Sequence, residues 1–383
     1  MKHFIQDPKD SSTTYLLEVI LDACENAELG GGTFAFASGH GVKLLLQDET
    51  FKKYLHSHKF TLIVGVDAVT NKKALDTLSE IAAQNPNLIV KAFLSSSTRS
   101  LYHPKFCWFK NATGGTLISG SGNLTSGGLR NNFEAFTLNR VDKTSFLEIV
   151  SSWNHFVSSN SANLYDINEE AIQNKASKNL IIRPKLVEKI AAAIKDKKSK
   201  PISSVETALI EIDDSDELEE DQQNRITIDD ALLISEIPKA STRWNQANFS
   251  KEVFEDFFGA TPGYQKRIFL YQVHQGGDLG AAEIRPSVSV KSRNFRFELE
   301  AASGLSYPTS GRPIGIFAKC ANRTFIYELL MPNKPGYMQI TKYLDSVEPA
   351  TTKMRRITTT IETLQSIWPT SPILQRLVSA HNE

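Results

Sequence analysis

His103 and Lys105 stand two residues apart in Leu-Tyr-His-Pro-Lys-Phe-Cys-Trp-Phe-Lys, residues 101–110. On an extended strand that spacing puts both side chains on one face. A glycine-rich stretch follows, Ser-Gly-Ser-Gly-Asn-Leu-Thr-Ser-Gly-Gly-Leu over 119–129, and then Glu134. A turn there can bring Ser121 and Asn123 back beside His103. The set then offers a nucleophile, a fixed positive charge, an amide donor and a carboxylate around one small anion. Phosphodiester hydrolysis needs an in-line nucleophile, stabilised charge on the non-bridging oxygens and a proton for the leaving alkoxide. A neutral imidazole can attack phosphorus and form a covalent phosphohistidine, and a second, protonated imidazole can supply the proton. Lys105 and Asn123 can hold the phosphoryl oxygens. Glu134 can hydrogen-bond the far nitrogen of a histidine and raise its basicity. The scheme uses no metal and no cofactor.

Two histidines are wanted, and the chain has one His-x-Lys. His3, His40, His56, His58, His155, His274 and His381 have no lysine two residues on. The economical answer is a homodimer in which two copies of His103 meet on a two-fold axis. Taken singly, each part has a plainer reading. His-x-Lys arises by chance, glycine and asparagine suit a turn with positive φ, and Glu134 can be a surface carboxylate. Taken together, their order and spacing point to a phosphodiesterase site. His40, in Ser-Gly-His-Gly, lies at the end of a predicted strand and either borders the site or occupies a loop. No Gly-x4-Gly-Lys-Ser/Thr occurs, so ATP binding through a phosphate loop is not expected.

A framework must position these groups. Residues 1–175 alternate helix and strand signals, which predicts an α/β domain with a mixed sheet. Helical spacing runs over 12–28, ended by Gly30-Gly31-Gly32, over 42–55, and over 70–84 with Thr70 as cap and Leu75, Leu78 and Ile81 on one face. Strands are expected at 33–37, 60–66, 88–94, 105–110, 116–119 and 134–138. Residues 176–230 read as a connector: a helix over 179–194 interrupted near Pro184, a basic run at 195–200, and eight acidic residues in eleven at 211–221. That acidic run is either a solvated linker or a phosphate mimic that occupies the candidate phosphodiesterase site until its substrate binds. From 231 to 383 the pattern is mostly β, with strands at 231–237, 267–274, 284–290, 295–300, 313–319 and 323–330. One helix follows Ser250 and stops before Gly259, burying Val253, Phe254, Phe257 and Phe258. A terminal helix is expected over 351–367. The last part reads as a small β-barrel-like domain.

His103-x-Lys105, Ser-Gly-Asn123, Leu-Thr, Gly-Gly-Leu and Asn132-x-Glu134 resemble the single-motif, phospholipase D-like nucleases. With a β-rich domain behind it, the chain is similar to the restriction endonucleases of the BfiI and NgoFVII group. That resemblance implies a phospholipase D-like nuclease domain followed by a B3-like pseudobarrel. It implies a metal-independent, homodimeric, sequence-specific DNA endonuclease. By position, it gives His103 the role of nucleophile or acid, Lys105 and Asn123 phosphate binding with Ser121 assisting, and Glu134 the supporting carboxylate. The partners implied are double-stranded DNA, a second copy, a cognate methyltransferase and, for any ATP dependence, a separate ATPase subunit. One departure stands: the wider family has an Asp five residues after the Lys, and this chain has Lys110.

Reading a DNA sequence takes bidentate donors in the major groove. Two segments between strands supply them, 239–248 and 306–313, and in a B3-like domain these would be the arms that embrace the groove. Arg243, Asn245, Tyr307 and Arg312 are the expected base or near-base contacts, and Lys266, Arg267, Arg293 and Arg296 the phosphate contacts. Trp244 is expected to pack rather than stack on a base. Net charge is zero overall but −1 over 1–175, −4 over 176–230 and +5 over 231–383, so the basic excess lies in the last part. No apolar run is long enough to span a bilayer and the start lacks a signal-peptide core, so a cytoplasmic location without a membrane partner is expected. Cys24, Cys107 and Cys320 fit no zinc or disulfide spacing and read as reduced, buried thiols. Two other functions fit parts of the pattern: a lipid or headgroup phosphodiesterase, and a DNA-binding protein with a dormant nuclease fold.

Overall fold

The structure, a computed structural model, describes residues 1–67, 69–96, 100–179, 224–239, 244–260, 266–286, 288–289, 295–348 and 353–378. The chain divides into two compact units, Met1–Pro8 with Thr13–Glu219 and Lys9–Ser12 with Glu220–Glu383. The basic and acidic runs of the connector and its interrupted helix, Asn179 apart, lie outside the described residues. Among the described residues no helix is long and apolar enough to cross a membrane.

The first unit is built on β1 (Lys2–Gln6), α1 (Leu16–Cys24), β2 (Leu29–Phe34), α2 (Gly39–Leu46), α3 (Glu49–Ser57), β3 (Lys59–Gly65), α4 (Lys72–Gln84) and β4 (Leu88–Phe93). There follow β5 (Lys105–Asn111), β6 (Gly114–Gly120), β7 (Glu134–Asp142), α5 (Lys143–Ser159) and β8 (Leu164–Asp166). A further helix, α6, covers 170–179. The eight strands form one sheet in the order β1-β7-β6-β5-β2-β3-β4-β8. β2, β3 and β4 run parallel, and every other pairing is antiparallel. Strand alternation sends Cys107 and Phe109 to one face, where Phe109 meets Phe60 and the α3 residue Tyr54. Phe106 and Trp108 go to the other, against Trp153 and Phe146 of α5. Cys24 and Cys107 are buried free thiols, and Cys320 is partly so.

Three expectations change. Gly30-Gly31-Gly32 do not terminate a helix; they lie inside β2, opposite Phe109, Trp108 and Cys107. A Cβ on Gly31 would come within 2.7 Å of the Trp108 ring, and one on Gly32 within 2.7 Å of the Cys107 sulfur. The glycines make room for bulky cross-strand neighbours, a long-range demand that a turn-forming residue type conceals. The helix expected over 42–55 is two helices, because the Asp48 side chain accepts from Thr50 N at 2.8 Å and starts α3. Asn71, not Thr70, caps α4, accepting from Ala74 N at 2.9 Å, while Thr70 Oγ1 donates to Gly65 O.

The second unit holds β9 (Ala231–Glu236), β10 (Gln246–Phe249), β11 (Arg267–Gln272), β12 (Glu283–Pro286), β13 (Val288–Ser289), β14 (Phe295–Glu298), β15 (Ile314–Ala321) and β16 (Thr324–Leu330). It ends on α7 (Tyr337–Val347), β17 (Arg356–Thr360) and α8 (Ile361–Ile367). The described strands make two open sheets, β10-β14-β13 and β12-β11-β16-β15-β9-β17. Its core is aromatic, with Trp244, Phe249, Phe254, Phe257, Phe258, Phe295, Phe297, Phe317, Phe325 and Tyr327 in one cluster. Gly259 ends the π-helical turn before it at φ 67°, a conformation that glycine adopts freely. The terminal helix expected over 351–367 is instead β17 followed by α8. Ile357 to Thr360 are all β-branched and favour the strand, and the Thr360 hydroxyl then caps the helix. α7 went unforeseen, although Tyr337, Ile340 and Leu344 are its buried stripe.

Two polar features of this unit carry energetic weight. Glu236 and Arg355, each 5% exposed in its side chain, form an ion pair at 2.9 Å. The Glu236 carboxylate also accepts from Arg312 at 2.8 Å and from the Arg355 amide at 3.0 Å. Glu328 is different: its Oε2 is buried with no hydrogen-bond partner among the described residues. Burial pushes its carboxyl from 4.5 up to about 7, against the pull of the Lys334 ammonium. The folded state thus holds this proton more tightly than the unfolded chain, and stability falls as pH rises between those two values. Glu328→Gln is expected to raise stability at pH 8 by roughly 1–3 kcal/mol and to change little at pH 4, as urea melts at both pH values would report.

Candidate active site

His103 lies in the segment leading into β5, and Lys105 opens that strand opposite Phe34, the last residue of β2. β2 and β3 end at this edge of the sheet, and β5 begins there in the opposite sense. In open α/β sheets, ligands bind off the carboxyl ends of the parallel strands. Lys105 Nζ lies 3.1 Å from His103 Nδ1 and 3.0 Å from Nε2. Nearly equal distances put the ammonium against the ring as a whole rather than on one lone pair, so this contact selects neither tautomer. The Phe36 ring meets the imidazole edge-on at 5.8 Å.

The glycine-rich segment is held to the end of β2. Leu124 N donates to Phe36 O at 3.1 Å, Ser38 N donates to Leu124 O at 3.1 Å, and Phe36 N donates to Asn123 Oδ1 at 3.3 Å. None of Gly120, Gly122, Gly127 and Gly128 has a positive φ. Gly128 is needed instead for close approach: a Cβ there would lie 2.3 Å from Asn123 N. The turn expected here is therefore a tightly packed crossing that ends in a π-helical turn, Gly127–Asn131.

Ser121 follows β6 and Glu134 opens β7. The Ser121 hydroxyl donates to the Glu134 carboxylate and accepts from Ala135 N at 3.0 Å. Within one chain the Glu134 carboxylate is held by Ser121 and Asn132, and it makes no bond to His103. Burial raises its pKa, while the Ser121 and Asn132 hydrogen bonds and the Lys105 charge pull it down. Burial lowers the His103 pKa and the Lys105 charge lowers it further, which favours the neutral imidazole. Burial also brings the Lys105 ammonium down to about 8, against the attraction of Glu134. The arrangement offers a neutral ring nitrogen, an adjacent cation and a hydrogen-bonded carboxylate. His40 sits in the first turn of α2. Lys110, where the wider family has Asp, lies toward the far end of β5 beside Glu28, at 3.6 Å. Phe36 was not foreseen: it comes to the histidine only through the pairing of β2 with β5, which no local spacing encodes.

The expected DNA contacts are placed unevenly. Arg243 and Arg293 lie outside the described residues. The Arg312 guanidinium bonds Glu236 and Lys353 O, so a large part of its fork serves the fold. The Tyr307 hydroxyl donates to Ile237 O at 3.0 Å, and its ring packs edge-on against Trp244. Trp244 does pack, 6% exposed, with its ring N–H on Leu305 O. Arg267 is 3% exposed, which takes it out of reach of a phosphate. Asn245 and Lys266 are partly exposed. Arg296 stands between the buried Phe295 and Phe297 on β14 and takes the opposite face.

No protein-family model and no curated protein matches the chain. Similar solved structures include NucT from Helicobacter pylori, at 16% identity over 43% of this chain and 97% of that one, with a TM-score of 0.31. A phospholipase D family member, Nuc from Salmonella typhimurium, is 14% identical over 39% of this chain and 88% of that one, TM-score 0.29. The N-terminal domain of Helicobacter pylori LlaJI.R1 is 10% identical over 33% of this chain and 97% of that one, TM-score 0.25. Likenesses this faint carry no argument, and the chemistry rests on the geometry above.

Proposed function

We propose that the chain is a phospholipase D-like, metal-independent DNA endonuclease of the restriction type, acting as a homodimer with one site shared by two copies of His103. The observation that carries this reading is the Lys105 ammonium held against a neutral, exposed His103 ring. A cation there can bind a phosphoryl oxygen while a neutral ring nitrogen attacks phosphorus, and the leaving alkoxide takes a proton from the second His103 in its imidazolium form, the minority form at neutral pH. Water, giving its proton to that second ring, then cleaves the phosphohistidine and frees the first. Asn123 supplies a further contact to the phosphate, and Ser121 holds Glu134 as the supporting carboxylate. The second unit is proposed as a B3-like DNA reader, with Asn245 and Arg296 as its partly exposed donors among the described residues and Lys266, whose ammonium also donates to Ser11 O and Ser12 O, beside them. A cognate methyltransferase and, for any ATP dependence, a separate ATPase subunit would complete the system in the cytoplasm. Digestion of phage DNA in EDTA, with end sequencing of the fragments, tests the whole reading. Defined ends support it; intact DNA under all conditions sinks it.

The charge on Lys105 sets a pH limit. Below about 8 the amine is a cation and can hold phosphate; above, it is neutral. Cleavage is therefore expected to fall as pH rises through that value. Initial rates measured from pH 6 to 10 should steepen their fall near that value, and Lys105→Arg, whose charge persists across the range, should remove the added steepness.

A further inference from the structure

We infer that Asp67 is a positioning residue for His103, acting through the backbone amide of Tyr102; the inference rests on the phosphodiesterase reading above. His103 is exposed and precedes the first ladder residue of β5. Pro104 after it restricts its own backbone to extended conformations. A rotation at Tyr102 would therefore swing the imidazole as a rigid arm. The Tyr102 ring stacks on Phe93 at 4.0 Å and its hydroxyl meets Thr33. Packing alone does not fix the segment, because a cavity of about 580 Å³ opens along Tyr102, Pro104 and Phe106 on the side of α5. Two hydrogen bonds restrain the backbone among the described residues: Lys105 Nζ donates to His103 O at 3.3 Å, and Tyr102 N, on the other side of the ring's attachment, donates to Asp67 Oδ2 at 3.3 Å.

The residues flanking Asp67 are held in turn. It follows β3, and the side-chain amide of Asn179 donates to Val66 O at 3.1 Å and to Thr70 O at 2.9 Å. Asn179 is 3% exposed, so both bonds are shielded from water. Asn179 of α6 thus ties Val66 to Thr70 around Asp67, Asp67 holds Tyr102, and Tyr102 places His103. Nothing in this chain of contacts touches substrate. Its work is to set where the ring stands over Lys105.

The test compares Asp67→Ala with Asp67→Asn in the full chain; the asparagine keeps a side-chain oxygen to accept the Tyr102 N–H. The His103 ring signals, assigned by their loss in His103→Ala, are followed by NMR beside kcat and KM for duplex DNA. Asp67→Ala is expected to shift the His103 signals and lower kcat on the order of tenfold to a hundredfold with little change in KM, and Asp67→Asn to stay within about threefold of the native rate. Unmoved His103 signals in a folded Asp67→Ala protein overturn the inference, as does equal damage in the two variants. Signals that move only in Asp67→Ala while the native protein cleaves no phosphodiester uphold the placement and overturn the phosphodiesterase reading. Should Asp67→Ala fail to fold, hydrogen exchange at the Tyr102 amide of the native chain decides: protection supports the bond, and exchange at the rate of a free amide refutes it.

Discussion

Alanine in place of His103 is expected to stop cleavage of duplex DNA in EDTA, with the rate falling by at least about ten-thousandfold. No other member of the set can take over the attack. Ser121 already donates to Glu134 and accepts from Ala135, and Lys105 is needed as a cation. His103 is exposed, so its loss leaves the unfolding midpoint where it was, and a dead protein that melts normally separates catalysis from folding. Subunit mixing probes the sharing of the site. If each site needs a histidine from both copies, activity follows the square of the fraction of native chains in a randomised mixture. A linear dependence would keep His103 as nucleophile and remove the shared site.

Arg355→Ala is expected to destabilise the second unit by about 3–5 kcal/mol, because it strands a buried carboxylate. Glu236 would lose the guanidinium nitrogens at 2.9 and 3.2 Å and keep Arg312 as its remaining charged partner. Replacing the pair together, Glu236→Gln with Arg355→Met, should cost less than the single change, since the charges left without a partner, Arg312 and Asp345, are ones that water reaches. Burial alone would raise the Glu236 pKa, but the Arg355 and Arg312 contacts hold it below the usual carboxylate value. A depressed folded pKa means that the pair's contribution is intact above about pH 4.5 and is lost as the solution is acidified through the folded value. Urea melts followed by tryptophan fluorescence, at pH 7 and pH 3, should show the penalty of Arg355→Ala at the first and a much smaller one at the second.

Much of the first unit was legible because its signals are local. Apolar runs bounded by turn residues located β3, β4 and β5, and the stripe of Leu75, Leu78 and Ile81 located α4. The pairing of His103 with Lys105 was legible from their spacing, although His103 precedes β5 and the strand parity that suggested it does not apply, and Ser121 and Glu134 meet across β6 and β7, one hairpin's length apart. What failed depended on partners distant in sequence. The glycines of β2 answer to Trp108 and Cys107, Phe36 reaches His103 through sheet order, and Asp67 reaches Tyr102 across an intervening helix and strand. The DNA arms show the same limit. A loop arginine such as Arg312 looks available in one dimension, but Glu236 claims it in three. Segment 239–248 looked like an arm, yet its last three residues belong to β10, because Ala247 and Phe249 alternate into an aromatic core that the sequence could not assemble.

Gly31 and Trp108 face each other across two central strands of the first unit, and neither can drift alone. A methyl group on Gly31 collides with the indole, while a smaller residue at 108 leaves a void beside a bare backbone. Each substitution becomes tolerable only once the other has occurred, so the order in which mutations arrive decides whether a lineage survives them. Descendants of this chain should keep the two residues or exchange them as a couple, and that coupling would mark kinship where overall identity has faded.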